Sequence, residues 1–181
     1  LLFAFAPLHE HWQPILQLLA LLSMGVGAFA AIAQTNIKRM LAYSSIGHMG
    51  YALVGLAAGG EGGMKAVIVY LAIYIFMNLG TFALVMVMNR DESTGEDIND
   101  FKGLSKKRPF LAFLMMLFMF SMAGIPPLAG FIGKLSVFMA AVDAGLIKLA
   151  LAGVLFSAVG AFYYLRIVKL MYFDQPESEF D

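Results

Sequence analysis

The chain has 181 residues, 61% of them hydrophobic and only 13% charged, with twelve basic residues, twelve acidic residues and no net charge. Several apolar runs of about 18 residues or more accompany that composition, which describes an integral helical membrane protein and excludes a water-soluble core. Neutrality argues against a nucleic-acid partner, and no Gly-Lys-Ser/Thr phosphate loop is present. Without cysteine these residues form no disulfide, iron–sulfur or thiolate metal site, and the three histidines lack ligand spacing. No metal ligand, cofactor-binding residue or catalytic residue is therefore expected here, and any coupled redox chemistry lies elsewhere. The start at Leu1, followed by apolar sequence with no charged leader, reads as an internal piece of a longer protein.

Taken in order, hydropathy draws spans at 15–33, 41–58, 66–88, 110–142 and 146–173, within one transmembrane domain over 1–181. LLFAFAP ahead of them is expected to be the tail of a sixth span. The segment His9 to Pro14 then forms a connection, with Trp12 as an interfacial anchor and the histidines solvated. The predicted fold class is all-α integral membrane, with about five to six transmembrane helices. Lys38, Arg39, Arg90, Lys102, Lys106, Lys107, Arg108, Arg166 and Lys169 fall in links on one side, and only Lys65 and Lys148 on the other. By the positive-inside rule the first side, with the loop 89–109, is cytoplasmic, or matrix in an organelle. Two readings of that loop stay open: a solvated connection, or a short amphipathic piece around Ile98 to Leu104 laid against a neighbouring subunit.

The fourth span differs from the rest. As one straight helix its 33 residues would reach roughly 50 Å, well beyond a hydrocarbon core of roughly 30 Å. Pro126 and Pro127 bring no amide hydrogens, and Gly124 and Gly130 accept backbone angles that other residues resist, so the span should break at Gly124–Gly130. A break leaves bare carbonyls, which survive at membrane depth only when packed in protein or lining a wet cavity. Lys134 follows the break and lies nine residues, roughly 13 Å, before Asp143. A lysine stem of roughly 6 Å cannot snorkel that far. A cation so placed reads as part of an ion or proton path.

The remaining polar residues inside spans are few, and none is a carboxylate, so any acid paired with Lys134 must come from another part of the protein or a neighbour. Ser44, His48 and Tyr51 share one helical face, with Ser45 beside them. His48, whose side chain type titrates near neutrality, suits proton relay, although a lone histidine among serines also serves as a helix–helix hydrogen bond. Tyr70, Tyr74, Asn78 and Thr81 form a second inward stripe, either packing or the rim of a hydrated channel. Gly153, Ser157, Gly160 and Ala161 read as a small-residue stripe for close helix packing. Lys38 and Arg39 sit at a turn, where anchoring is the simplest role.

Three passages carry a resemblance. Ala33-Gln-Thr-Asn-Ile-Lys-Arg-Met-Leu-Ala-Tyr-Ser-Ser-Ile-Gly-His-Met-Gly-Tyr51, Ala123-Gly-Ile-Pro-Pro-Leu-Ala-Gly-Phe-Ile-Gly-Lys134 and Ala161-Phe-Tyr-Tyr-Leu-Arg-Ile-Val-Lys169 resemble the antiporter-like subunits of respiratory complex I and of cation/proton antiporters. Asn36 in place of the more usual Asp, Lys134 in the broken helix, and a third span without histidines point to the subunit N branch. The resemblance implies a fold of about fourteen helices in two inverted repeats, of which this piece holds part. It implies that Lys134 ends a membrane-plane proton path, with His48 and Lys38 as polar-axis or cytoplasmic uptake residues. It also implies a bacterial inner-membrane complex in which NADH, FMN, iron–sulfur clusters and quinone are handled by other subunits. Its alternative is a sodium/proton antiporter subunit working without redox partners.

Overall fold

A computed structural model describes residues 9–88 and 96–175. LLFAFAP, Arg90 and the first part of the 89–109 loop lie outside the described residues. The architecture is an all-α bundle: α1 His9–Ile32, α2 Ile37–Ala58, α3 Gly60–Met88, a short α4 Leu104–Lys107, α5 Pro109–Ala123, α6 Ala129–Asp143 and α7 Ile147–Tyr172. A 3-10 turn, Ile98–Phe101, precedes α4. Among the described residues, three helices are long and apolar enough to cross a membrane by themselves, over His11–Ile32, Gly60–Met88 and Ile147–Tyr172. The α5 and α6 helices have 15 residues each, roughly 22 Å, and neither alone matches a bilayer core.

Local chemistry sets the helix ends. Asn36 caps α2 by accepting the Arg39 amide on Oδ1 at 3.0 Å. Pro109 opens α5, where its missing amide hydrogen costs nothing. The first helix begins earlier than hydropathy suggests. His9 to Pro14, expected as a connection, are its first turns, and Gln13 donates to Ala57 O at 3.1 Å, tying α1 to the end of α2. Polar residues obscured that start because they lie at the helix end, beyond the apolar run.

The second correction concerns the loop before α5. Ile98, Phe101 and Leu104 are buried in the chain's own core with Ile37, Met40 and Leu41 of α2, Met115 of α5 and Ile167 of α7. The amphipathic piece is real, but its apolar face packs on this chain rather than on a neighbouring subunit, and the solvated-loop reading fails for the same residues.

The interior is layered. One apolar cluster fills the end that carries Lys38, Lys102, Lys106 and Lys169, and a second, with Met24, Val54, Ala57, Val137 and Leu149, fills the other half. Between them along α2, α6 and α7 lie the buried Ser44, His48 and Lys134 and the half-buried Ser157. Large apolar side chains such as Phe76, Leu79 and Phe162 cover the outside, as a lipid-facing surface requires.

Candidate functional site: a buried ammonium at a helix break

The break is where the sequence puts it. Gly124 takes φ +87°, and its N–H is shared between Phe120 O and Ser121 O at 3.1 and 3.0 Å. The chain passes through Pro126 and Pro127 and turns helical again at Ala129. Gly130 N–H donates to Ser121 Oγ at 3.1 Å, and a Cβ on Gly130 would fall 1.8 Å from Ser121 O, so only glycine lets the two half-helices meet here. Two carbonyls at the end of α5, Met122 O and Ala123 O, lose their helical donors at the break. Lys134 supplies replacements, its Nζ donating to them at 2.9 and 3.0 Å and to Ser157 Oγ at 2.8 Å.

Lys134 is only 6% exposed. All three ammonium donors are therefore used, and none goes to a carboxylate. The carboxyl-terminal end of a helix carries roughly half a negative charge, which supplies the electrostatic complement that a buried cation needs. The same Nζ lies 5.0 Å from the centre of the Tyr51 ring, a cation–π contact. A cleft of about 380 Å³, lined by Gly124, Pro126, Lys134, Phe138 and Ser157, opens beside the break. The broken backbone is thus packed on protein, a condition under which such a break persists in a membrane, and it borders an open cleft.

His48, 2% exposed, forms the other half of the site. Its Nδ1 pairs with Tyr70 OH at 2.6 Å and its Nε2 with Tyr164 OH at 2.9 Å. The ring stacks on Tyr74 at 4.9 Å between centres, and Tyr164 OH continues to Ser44 Oγ. A neutral imidazole has one donor and one acceptor nitrogen, so the two tyrosines must play opposite roles, and a proton exchanged between the nitrogens reverses both bonds. A cavity of about 10 Å³, lined by Ser44, His48, Tyr51, Lys134 and Tyr164, lies between the two halves. It is near the least space that holds one water.

The structure brings together Lys134, His48, Ser44, Tyr51, Tyr70 and Tyr74. Ser45 lies at the margin, its hydroxyl donating to Leu41 O at 2.9 Å. Asn78 is half-buried and stands outside the cluster, and Thr81 bonds its own helix at Met77 O. Lys38 is separate. It is ten residues from His48 on α2, roughly 15 Å along the axis, and its Nζ pairs with Glu96 at 2.5 Å. That ammonium, with the Asn36 amide, holds the exposed Glu96 carboxyl below its usual range.

Sequence reasoning missed two members of the site. Ser157, assigned to helix packing, is also a Lys134 acceptor, and Tyr164 is the second partner of His48. The available signal was spacing: Ser157, Gly160 and Tyr164 follow one another by three and four, on one face of α7. The packing role holds at Gly153, where an added Cβ would meet Phe138 at 2.5 Å.

Comparison with known proteins shows the family and the fold. A family model described as NADH:quinone oxidoreductase/Mrp antiporter, transmembrane, matches residues 1–160. NADH-quinone oxidoreductase subunit N of Rhodospirillum rubrum is 59% identical over 177 residues, covering 98% of this chain and 36% of the relative. Subunit N of Magnetococcus marinus is 63% identical over 178 residues, covering 98% and 37%. A chain of respiratory complex I from Thermus thermophilus with bound aureothin superposes with a TM-score of 0.79 at 35% identity, covering 91% of this chain and 37% of that one. A chain of the Mrp complex from Dietzia sp. gives 0.86 at 27% identity, covering 92% and 31%. The chain spans a little over a third of the length of the curated relatives it matches. By sequence and by fold, the chain belongs to the NADH:quinone oxidoreductase/Mrp antiporter transmembrane family.

Proposed function

We propose that this chain is the part of a complex I subunit N that carries protons through the membrane, driven by NADH oxidation and quinone reduction in other subunits. In this reading Lys134 alternates between ammonium and amine, and His48 relays protons between Tyr70 and Tyr164. NADH, FMN, iron–sulfur clusters and quinone belong to the rest of the assembly, and other membrane subunits and the bilayer are this chain's neighbours. The basic end faces the bacterial cytoplasm, because it concentrates the lysines and arginines.

One observation carries the proposal: the partners of Lys134 suit both of its protonation states. As an ammonium it donates three hydrogen bonds, to Met122 O, Ala123 O and Ser157 Oγ. As an amine it keeps the two carbonyl bonds and accepts one from the Ser157 hydroxyl, which rotates from acceptor to donor. Losing the proton thus leaves no group unpaired, whereas a lysine locked to a carboxylate would strand a buried charge. Work against the field is about 2.3 kcal/mol per charge per 100 mV, within the range that changes of hydration and hydrogen bonding around a buried amine supply.

The test is Lys134→Arg in the full-length subunit within its complex, in sealed vesicles. Arginine stays charged, so quinone reduction should proceed while proton transport through this subunit is lost. Undiminished transport overturns the proposal. Transport that requires sodium and no quinone reductase activity would favour the sodium/proton antiporter reading.

A further inference from the structure

The connection from Glu96 to α5 closes the basic end of the bundle, and its attachment is built from several contacts on a short stretch. Ile37 N–H donates to Glu96 O at 2.9 Å and Ile98 N–H to Thr35 O at 2.8 Å, around a single antiparallel bridge between Asn36 and Asp97. The Glu96 carboxylate takes Lys38 Nζ at 2.5 Å on one oxygen and Asn36 Nδ2 at 2.8 Å on the other. Arg39 adds a favourable charge nearby. Asp97 and Asp100 then cap the 3-10 turn reciprocally, and Gly103 N–H reaches Leu170 O of α7 at 3.0 Å.

That attachment delivers Ile98 and Phe101 into the apolar cluster shared with Ile37, Met40, Leu41 and Ile167. The cluster lies between the polar layer and this end of the bundle. Met40 and Leu41 stand one turn before Ser44 on α2, and Ile167 follows Tyr164 by one turn on α7. The α2 and α7 members are fixed in long helices. The loop members lie outside any long helix, and among their attachments to the bundle are the polar contacts just described and the burial of Ile98 and Phe101 themselves.

We propose that Glu96 is a positioning residue for proton transfer: by gripping α2 through Lys38 and Asn36, its carboxylate holds Ile98 and Phe101 as a removable apolar seal between the Ser44–Tyr164–His48 relay and water at the basic end. Lys38 then serves as the handle of the seal and carries no proton itself. Both partners are solvent-exposed, and an exposed ion pair is weak and readily broken. That suits a latch that must open and close; a buried pair would stay shut. The inference rests on the relay reading of His48 for its purpose, but its physical content is access of water to the apolar layer, which is measured without any transport.

These 181 residues contain no cysteine, so once any cysteine elsewhere in the full-length subunit is replaced, a thiol introduced at Leu41, a buried residue of the seal outside the relay, reports access cleanly. Leu41→Cys is placed in the full-length protein in sealed vesicles with the basic end outward, and a membrane-impermeant thiol reagent is added. Labelling should be slow, should rise about tenfold or more when Glu96→Lys is added, as local opening predicts, and should fall back in the exchanged pair Lys38→Glu with Glu96→Lys. Equal rates with and without Glu96→Lys overturn the proposal. Where Leu41→Cys does not accumulate, amide hydrogen exchange over residues 97–104 in Glu96→Gln decides, and unchanged protection overturns it. Should labelling follow Glu96 while Lys134→Arg leaves transport intact, the seal stands and the proton-carrier reading falls; the reverse pattern removes the seal alone.

Discussion

Replacing Gly130 with alanine asks how closely the two half-helices must approach for Lys134 to work. The added Cβ would lie 1.8 Å from Ser121 O and 2.7 Å from Ser121 C, and ordinary contact begins near 3.4 Å, so the ends of α5 and α6 must part by about 1.6 Å. Both obstructing atoms are backbone, which a rotamer change cannot clear. Gly130 N to Ser121 Oγ, now 3.1 Å, would be stretched out of hydrogen-bonding range. Lys134 lies one turn along α6, and its bonds of 2.9 and 3.0 Å to Met122 O and Ala123 O span the same gap. Overpacking of about 1–3 kcal/mol and the loss of one or two hydrogen bonds at about 1 kcal/mol each put the cost near 2–5 kcal/mol. The assay is the thermal midpoint and membrane level of the full-length variant beside Gly62→Ala. Gly62 is helical with nothing within 4 Å of an added Cβ, and that change should be neutral or gain up to about 1 kcal/mol. If Gly130→Ala matches Gly62→Ala in both readouts, the account of the break is wrong.

Phe101→Ala should cost about 3–5 kcal/mol, because the ring is 1% exposed within the chain's own core; a thermal midpoint unchanged from wild type would mean that the loop packs elsewhere. Tyr70→Phe and Tyr164→Phe each leave one imidazole nitrogen of His48 without its hydroxyl, a loss of about 1–3 kcal/mol in stability. Tyr164→Phe should slow proton transport more, since Tyr164 also serves Ser44; equal transport in wild type and Tyr164→Phe would remove that hydroxyl from the route. Because Lys38 and Asn36 hold the folded Glu96 carboxyl below its ordinary value of 4.5, its grip is fully present above about 4.5 and is lost as pH falls through the lowered value. Amide exchange at Ile98 should therefore quicken on acidification below that point in wild type, beyond the ordinary pH trend of exchange, and show no such extra step in Glu96→Gln.

Hydropathy and the pair Pro126-Pro127 were enough to read the all-helical class and the break before Lys134, because apolar run length and missing amide hydrogens are properties of a local stretch. Neighbourhood was harder. Spacing along α2 showed that Ser44, His48 and Tyr51 point one way, but nothing local says that α7 lies opposite. Tyr164, 116 residues from His48, was therefore missed, and Ser157 was read only as a spacer. The acceptors of Lys134 include two backbone carbonyls that the break itself exposes, which no side-chain type in the sequence announces. The burial of Ile98, Phe101 and Leu104 escaped for a related reason: an amphipathic turn announces an apolar face without naming the surface that covers it. Among the described residues, in contrast, Lys38, Lys102 and Lys169 gather at one end, where the start of α2, the loop before α5 and the end of α7 meet, since alternation of antiparallel helices fixes that from span count alone.

The central claim is that Lys134 takes up and releases a proton within the membrane. The direct measurement is the ratio of protons moved to electrons passed by the intact complex in sealed vesicles, with Lys134→Met in the full-length subunit. The account predicts an assembled complex that still reduces quinone and moves fewer protons per electron; an assembled complex with the wild-type ratio would contradict it.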